Sequence, residues 1–266
     1  MSVDLPSIDP ASVDVSLDLS GKIALVTGGS RGIGRSVVDT FLRHGAVAIS
    51  CGRGDRPDEL NESIDWLQCD VSKPEEVSQL SKTISDRHGP LSVLVNNAGV
   101  QVEKTVVDST DDDWDLVMGA NARGVFNCCR AFIPVMQQGG SIINIGSISG
   151  RVADPSMALY NASKAFVHGL TRSVAVDHGD KVRCNAILPG WIMTEMADSA
   201  FELARDPAQA KHDALARHPA GRFGAPADIA SMALWLASDA SAFATGQCFT
   251  IDGGMTSASP LNPGLF

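Results

Sequence analysis

Ile23-Ala24-Leu25-Val26-Thr27 runs without a break into Gly28-Gly29-Ser30-Arg31-Gly32-Ile33-Gly34. The first five residues form a short apolar run of the kind that makes a strand buried on both faces. The small residues after it let the backbone turn tightly and approach a charged group closely. A helical pattern then begins at about Ile33 and continues to Arg43. The start of a helix offers unpaired N–H groups and a dipole that favours an anion. A strand, a glycine loop and a helix in that order therefore suit a pyrophosphate. The glycines fall at 28, 32 and 34, a Gly-x-x-x-Gly-x-Gly spacing that differs from Gly-x-Gly-x-x-Gly. No lysine stands where a P-loop carries one, which disfavours a nucleoside triphosphate.

The alternation continues along the chain. Val47 to Cys51, Trp66 to Cys69, Leu91 to Val95, Ser141 to Ile145, Val182 to Leu188 and Gln247 to Ile251 read as further strands. Helical stretches run from Pro74 to about His88, from about Asp112 to Met136, from about Ser156 to Asp177 and from Pro226 to Ala237. Proline suits the first turn of a helix, where its missing N–H costs nothing. Apolar strands separated by helices predict an α/β fold, a doubly wound parallel sheet of about seven strands, Rossmann-like and single-domain. There is no internal repeat or low-complexity linker. The least regular stretch, 191–219, follows the sixth strand and reads as a substrate loop at the carboxyl end of the sheet.

Composition narrows the function. The chain has 266 residues, 44% hydrophobic and 20% charged, so it can bury an ordinary core. A net charge of −10 argues against passive binding to nucleic acid or an anionic membrane. It does not oppose an anionic cofactor held by a few local donors. The six cysteines (Cys51, Cys69, Cys128, Cys129, Cys184 and Cys248) form no Cys-x-x-Cys pair and no cluster with histidine, so no metal site is expected. They read as small buried hydrophobes in a reducing compartment. Residues 1–18 read as an acidic leader, with Asp4, Asp9, Asp14 and Asp18 and no basic residue, ahead of a domain over 19–266. With no secretory pattern and no apolar run able to span a bilayer, a cytoplasmic protein is expected.

Tyr160 is the only tyrosine, and it precedes Lys164 by four residues, thirteen residues after Ser147. Positions i and i+4 share a helix face, which puts an ammonium beside a phenol. Such a pair can trade protons near neutral pH.

With these motifs in this order, the chain resembles the short-chain dehydrogenase/reductase family in its short single-domain form. The resemblance covers about Leu19 to Gly254. It rests on the glycine loop, Asp70, Asn96-Asn97-Ala98-Gly99, Asn121, Ser147, Tyr160 with Lys164, and Pro189-Gly190 followed by Thr194. It implies hydride transfer between a nicotinamide and an alcohol or carbonyl. Tyr160 would be the acid/base, and Ser147 would hold the substrate oxygen. Lys164 would bind the nicotinamide ribose, and Asn121 would hold a relay water near it. Gly28, Ser30, Arg31, Gly32, Ile33 and Gly34 would cradle the cofactor phosphates. Asp70 would meet the adenine, and Asn97, Ala98 and Gly99 would line the cofactor. Pro189, Gly190, Ile192 and Thr194 would hold its carboxamide and phosphate. Asn96 and Asn185 read as structural.

Strand two ends in Ser50-Cys51-Gly52-Arg53, where enzymes that use NAD carry an acid for the ribose hydroxyls. Gly52 stands there instead, and Arg53 and Arg31 offer guanidiniums for a 2′-phosphate. NADP(H) is favoured and NAD(H) is the alternative, with Asp55 as the residue against this reading. Gln101, Ala153, Met157, Trp191, Met193, Glu195 and Met196 are the expected substrate walls, suited to a secondary alcohol or ketone with apolar bulk. The resemblance also implies a homotetramer or dimer. A non-catalytic nucleotide sensor and an isomerase or dehydratase are the rival readings.

Overall fold

A computed structural model describes residues 16–258. Asp4, Asp9 and Asp14 of the expected leader, and the last eight residues, lie outside that range. Seven parallel strands form one sheet in the order β3-β2-β1-β4-β5-β6-β7. They are β1 (Ile23–Thr27), β2 (Val47–Gly52), β3 (Asp65–Gln68), β4 (Leu91–Asn96), β5 (Met136–Ile145), β6 (Val182–Pro189) and β7 (Cys248–Ile251). The order reverses between β1 and β4, whose residues Ala24, Leu25 and Val26 pair with Val93, Leu94 and Val95. In an open parallel sheet the crevice at that reversal is where ligands bind.

Successive residues of a strand face opposite sides, and both sides are covered. Val26, Val93, Val95 and Ile143 pack with Val37 and Phe41 of α1 (Gly32–Arg43) and Ile229 and Ala233 of α8 (Pro226–Ala237). Leu25, Ile49, Leu94 and Ile142 pack on the other side. Their partners there come from α2 (Pro74–His88), α4 (Gly124–Phe132) and α5 (Ala158–His178). Cys51, Cys69, Cys128, Cys129 and Cys184 are buried in this second layer as free thiols. Burial is the leading cause that pushes Cys128, Cys129 and Cys184 up, Cys129 to about 12, so they stay protonated packing groups.

Two expectations change. The single helix expected over 112–136 is broken into α3 (Asp111–Met118), a wide π-type turn at Gly119–Arg123, and α4, with β5 already under way at Met136. Thr110 and Asp113 cap α3 reciprocally. Pro134 then helps to end the helical run before the strand. The stretch 191–219 is not irregular: it holds α6 (Glu195–Glu202), capped by Thr194, and α7 (Pro207–Ala216), capped by Asp206. Elsewhere the bounds move by a residue or two. The fifth helix starts at Ala158 rather than Ser156, because Ser156 takes a left-handed φ of 56° that no helix continues.

Candidate active site

The carboxyl ends of the strands open into a cavity of about 720 Å³. Its cofactor end is built from the glycine loop. Thr27 Oγ1 accepts from the backbone N–H groups of Asn97 and Ala98, both at 3.0 Å. Asn97 Nδ2 donates to the carbonyls of Thr27 at 2.9 Å and Gly28 at 3.1 Å. The end of β4 thus clamps the loop after β1. Gly34 is required there: a Cβ would lie 2.3 Å from both Asn97 Nδ2 and the Gly28 carbonyl. The α1 N-terminus behind the loop has no side-chain cap and no acid in its first turn. It therefore presents free donors and a positive dipole end to the cavity.

At the end of β2, a Cβ on Gly52 would sit 2.8 Å from the Trp66 ring. The indole of β3 occupies the space that a side chain at 52 would need. Arg53 is exposed at the cavity edge, and Asp55 is exposed beside it. Neither side chain has a partner among the described residues. Arg31 is already engaged, because its guanidinium meets Glu195 at 2.7 Å across the mouth. The two arginines are therefore not arranged around one point in this state. Asp70 accepts from the Ser72 N–H and hydroxyl, a turn that leads into α2, while remaining on the cavity wall.

Ser147 closes the turn after β5, and Tyr160 and Lys164 stand one turn apart on α5. The Lys164 ammonium lies 5.5 Å from the Tyr160 ring centroid and donates to the Ile145 carbonyl at 2.9 Å. Burial pulls Lys164 down to about 8. The Tyr160 phenol is pushed up to about 12, mainly by burial; a hydrogen bond with Ser147 opposes the shift and the Asp154 charge adds to it. At neutral pH the phenol is protonated and Lys164 is mostly charged. This arrangement can give a proton to an oxygen bound between Ser147 and Tyr160.

Every residue expected at the site lines this cavity except Asn121. Asn121 is buried within the π-type turn. Its amide donates to the Val100 carbonyl at 2.8 Å and to Ser163 Oγ at 3.0 Å, and its Oδ1 accepts from the Val100 N–H at 2.8 Å. Both hydrogens of the Asn121 amide are thus engaged within the fold. Of the expected substrate walls, Gln101, Met157, Trp191, Glu195 and Met196 line the cavity, and Ala153 and Met193 do not. Asn96 Nδ2 donates to Asn144 at 2.8 Å, and Asn185 Nδ2 to the Ala244 carbonyl at 2.7 Å, as structural residues do.

Three residues were not foreseen. Ser149 and Asp154 face the cavity beside Ser147. His168, a further turn along α5 from Lys164, is buried against Gly146 and Gly150 and is pulled down to about 4, chiefly by burial. Asp154-Pro155 reads as an ordinary turn in sequence, and a lone histidine on a helix carries no signal.

The 191–219 segment beside the cavity is pinned by aromatic rings. Trp191 stacks on Phe201 at 4.8 Å, and Phe201 meets Phe223 at 5.8 Å. Trp191 is thus both a packing residue and a cavity wall.

Residues 28–256 match a family model described as enoyl-(acyl carrier protein) reductase. The chain is 36% identical over 251 residues to the 3-oxoacyl-[acyl-carrier-protein] reductase FabG of Thermotoga maritima, covering 89% of this chain and 98% of that protein. It is 38% identical over 251 residues to the NADP-dependent (R)-specific alcohol dehydrogenase of Lentilactobacillus kefiri, covering 90% and 98%. The ligand-free aldohexose dehydrogenase of Thermoplasma acidophilum superposes with a TM-score of 0.86 at 32% identity, over 91% of this chain and 97% of that one. Among the described residues no helix is long and apolar enough to cross a membrane. The chain belongs to the short-chain dehydrogenase/reductase family, as an oxidoreductase acting on CH–OH and C=O groups.

Proposed function

We propose that the protein reduces a ketone to a secondary alcohol with NADPH, and runs the reverse reaction when the alcohol is supplied. The observation that carries this reading is the convergence of Ser147, Tyr160 and Lys164 on one cavity wall, continuous with the glycine loop and the uncapped start of α1. When bound, the cofactor supplies or accepts the hydride. The chain's own residues do the rest. Ser147 and Tyr160 donate to the carbonyl oxygen, and Tyr160 gives up its proton as charge develops there. The resulting phenolate lies beside the Lys164 ammonium, which stabilises it. In the reverse direction the phenolate takes the hydroxyl proton.

NADP(H) is favoured by two features. Trp66 stands where an acid at position 52 would need space, so a ribose carboxylate there would have to displace the indole. Arg53 stands free at the same edge, and a guanidinium suits a phosphate. The similar alcohol dehydrogenase is described as NADP-dependent, and its substrate class fits the mostly apolar walls. The similar FabG makes a 3-oxoacyl thioester the second substrate class to assay. Residues 191–219 act as the substrate lid in this reading. The exposed Trp114, Phe126 and Phe166 on α3, α4 and α5 suit a homotetramer or dimer, to be settled by light scattering. A cytoplasmic location is consistent with the free thiols.

The test is a titration with NADPH and, separately, NADH, followed by quenching of tryptophan fluorescence, since Trp191 lines the cavity and Trp66 backs Gly52. NADPH should bind at least about tenfold more tightly, the size of one charge-assisted contact. Tighter NADH would assign the ribose to another group and overturn the cofactor choice. Binding of neither would overturn the enzymatic reading.

A further inference from the structure

His168 stands on the face of α5 that carries the site. Tyr160, Lys164 and His168 follow one another at i, i+4 and i+8, so they share one side of the helix. The imidazole is 5% exposed, and among the described residues its Nε2 has no hydrogen-bond partner. It points at the turn that holds Ser147. A Cβ on Gly146, just before Ser147, would lie 2.7 Å from Nε2 and 3.0 Å from Cδ2. A Cβ on Gly150, at the end of the turn, would lie 2.5 Å from Cε1. The leading edge of the ring therefore fills the space that side chains at both positions would need.

The two ends of the turn are seated differently. At Gly150 main chain meets main chain, because a Cβ there would also lie 2.8 Å from the Ala165 nitrogen and from the Lys164 carbonyl carbon. The Gly150 N–H closes the turn on the Ser147 carbonyl at 3.1 Å. At Gly146 the backbone N–H donates to the Ile187 carbonyl of β6 at 2.8 Å. What faces its α-carbon is side chain: the His168 ring, and Leu188 Cδ1 at 3.2 Å from the Cβ position. The reach of the imidazole thus sets how closely the start of the turn can approach α5.

This inference rests on the roles proposed above for Ser147 and Tyr160. We propose that His168 is a positioning residue for Ser147: its ring is the spacer between the helix that carries Tyr160 and the turn that carries Ser147, and it fixes how the two hydroxyls are presented to the substrate oxygen. Gly146 and Gly150 are the matching half of the device, since both leave room for the same ring.

The ring acts by shape. Pulled down to about 4, chiefly by burial, it is uncharged at neutral pH. With Nε2 unpartnered it passes no proton along α5 to Lys164, whose ammonium donates to the Ile145 carbonyl. A buried nitrogen without a partner also costs stability. An apolar residue would be the better filler if packing were all that the position required.

Reduction of acetophenone with NADPH reads the effect. His168→Ala should lower kcat at least about tenfold, the scale set by a small misplacement of a reacting group. NADPH binding, followed by tryptophan quenching, should stay within about twofold of the wild-type value, as for an independent site. In a Ser147→Ala background the same change should lower kcat by less than about twofold, because no hydroxyl is left to misplace. A packing role lowers kcat by the same factor in both backgrounds, and that result overturns the inference. Gly146→Ala puts a methyl group against the ring and should itself lower kcat about tenfold. Combined with His168→Ala it should recover part of that loss, because the methyl group then has room. An equal cost of Gly146→Ala with and without the ring also overturns the inference. If His168→Ala does not fold, His168→Leu is read in the same way, since leucine keeps the bulk but ends one bond short of Nε2 and Cε1. Near-normal turnover by Ser147→Ala alone would instead overturn the role of Ser147 on which the inference rests.

Discussion

On the floor of the cavity Ser147 and Lys164 are 8% and 6% exposed, Asn121 behind them is 1% exposed, and each makes at least one hydrogen bond within the fold. On its cover, α7 buries none of its ten residues. The floor is held by β5, α5 and the π-type turn, elements with long-range contacts on several sides. The cover is held by the Trp191–Phe201–Phe223 ring contacts, by the exposed Arg31–Glu195 pair and by the exchange of backbone hydrogen bonds between Trp191, Met193 and Gly224. Local opening costs least where buried contacts are fewest. Under the proposed function, the chemistry would sit on rigid elements and substrate fit on a segment that opens more easily, a division suited to positioning reacting groups closely.

The strongest way to break this comparison is Tyr160→Phe. If the floor carries the chemistry, turnover should fall at least about hundredfold, the usual range for loss of a general acid. NADPH-induced quenching should remain close to the wild-type signal, because the phenol hydroxyl is not part of the glycine-loop clamp. Near-normal turnover of acetophenone by this variant would move the chemistry off the floor altogether.

The two regions also differ in how far they could be read from sequence. The floor was legible because its residues obey short-range rules. Tyr160 and Lys164 share a face by helical spacing alone, and Gly28, Gly32 and Gly34 sit between a strand and a helix with evident patterns. The cover was read as irregular although its signals were present. Thr194 and Asp206-Pro207 are ordinary helix starts, but the short helices after them have little apolar pattern to support them. The π-type turn was not legible. What surrounds Gly119, Asn121 and Gly124 is contact with Val71, Ser72 and Ser163, from parts of the chain far away in sequence. Ser149 and Asp154 were missed for a related reason. Their place beside Ser147 is one that only the folded turn defines.

Phe201→Ala sharpens the difference in stability between floor and cover. Phe201 is buried, yet its ring contacts are with Trp191, Phe223 and Lys211 around the lid. Its truncation should free α6 and α7, raise KM for the ketone about tenfold and speed tryptic cleavage at Arg205 and Lys211. Global stability should fall by less than for Phe132→Ala, a fully buried residue of the sheet layer expected to lose about 3–5 kcal/mol. Equal losses in urea unfolding for the two variants would mean that the lid is part of the core.

The smallest effect lies where cover and body join. Arg222, just after the lid, meets Asp228 in the first turn of α8 through two bonds, at 2.7 and 2.8 Å. Asp228 also accepts from the Ala225 N–H at 2.7 Å. The Arg222 guanidinium, the largest cause, holds the Asp228 carboxyl at about 2, below its ordinary 3.8. A carboxyl depressed in the folded state stabilises the fold above its unfolded value, and that contribution fades as pH falls through the folded value. The window is therefore about pH 4 down to 2. Arg222 is well exposed and Asp228 partly so, and solvent screening keeps the effect small. Asp228→Asn keeps a side chain able to cap Ala225 and removes only the charge. Its urea midpoint should lie below the wild-type value at pH 5, and the two should converge toward pH 2. A gap that stays constant across that window would show that the join is held by shape and capping rather than by the ion pair.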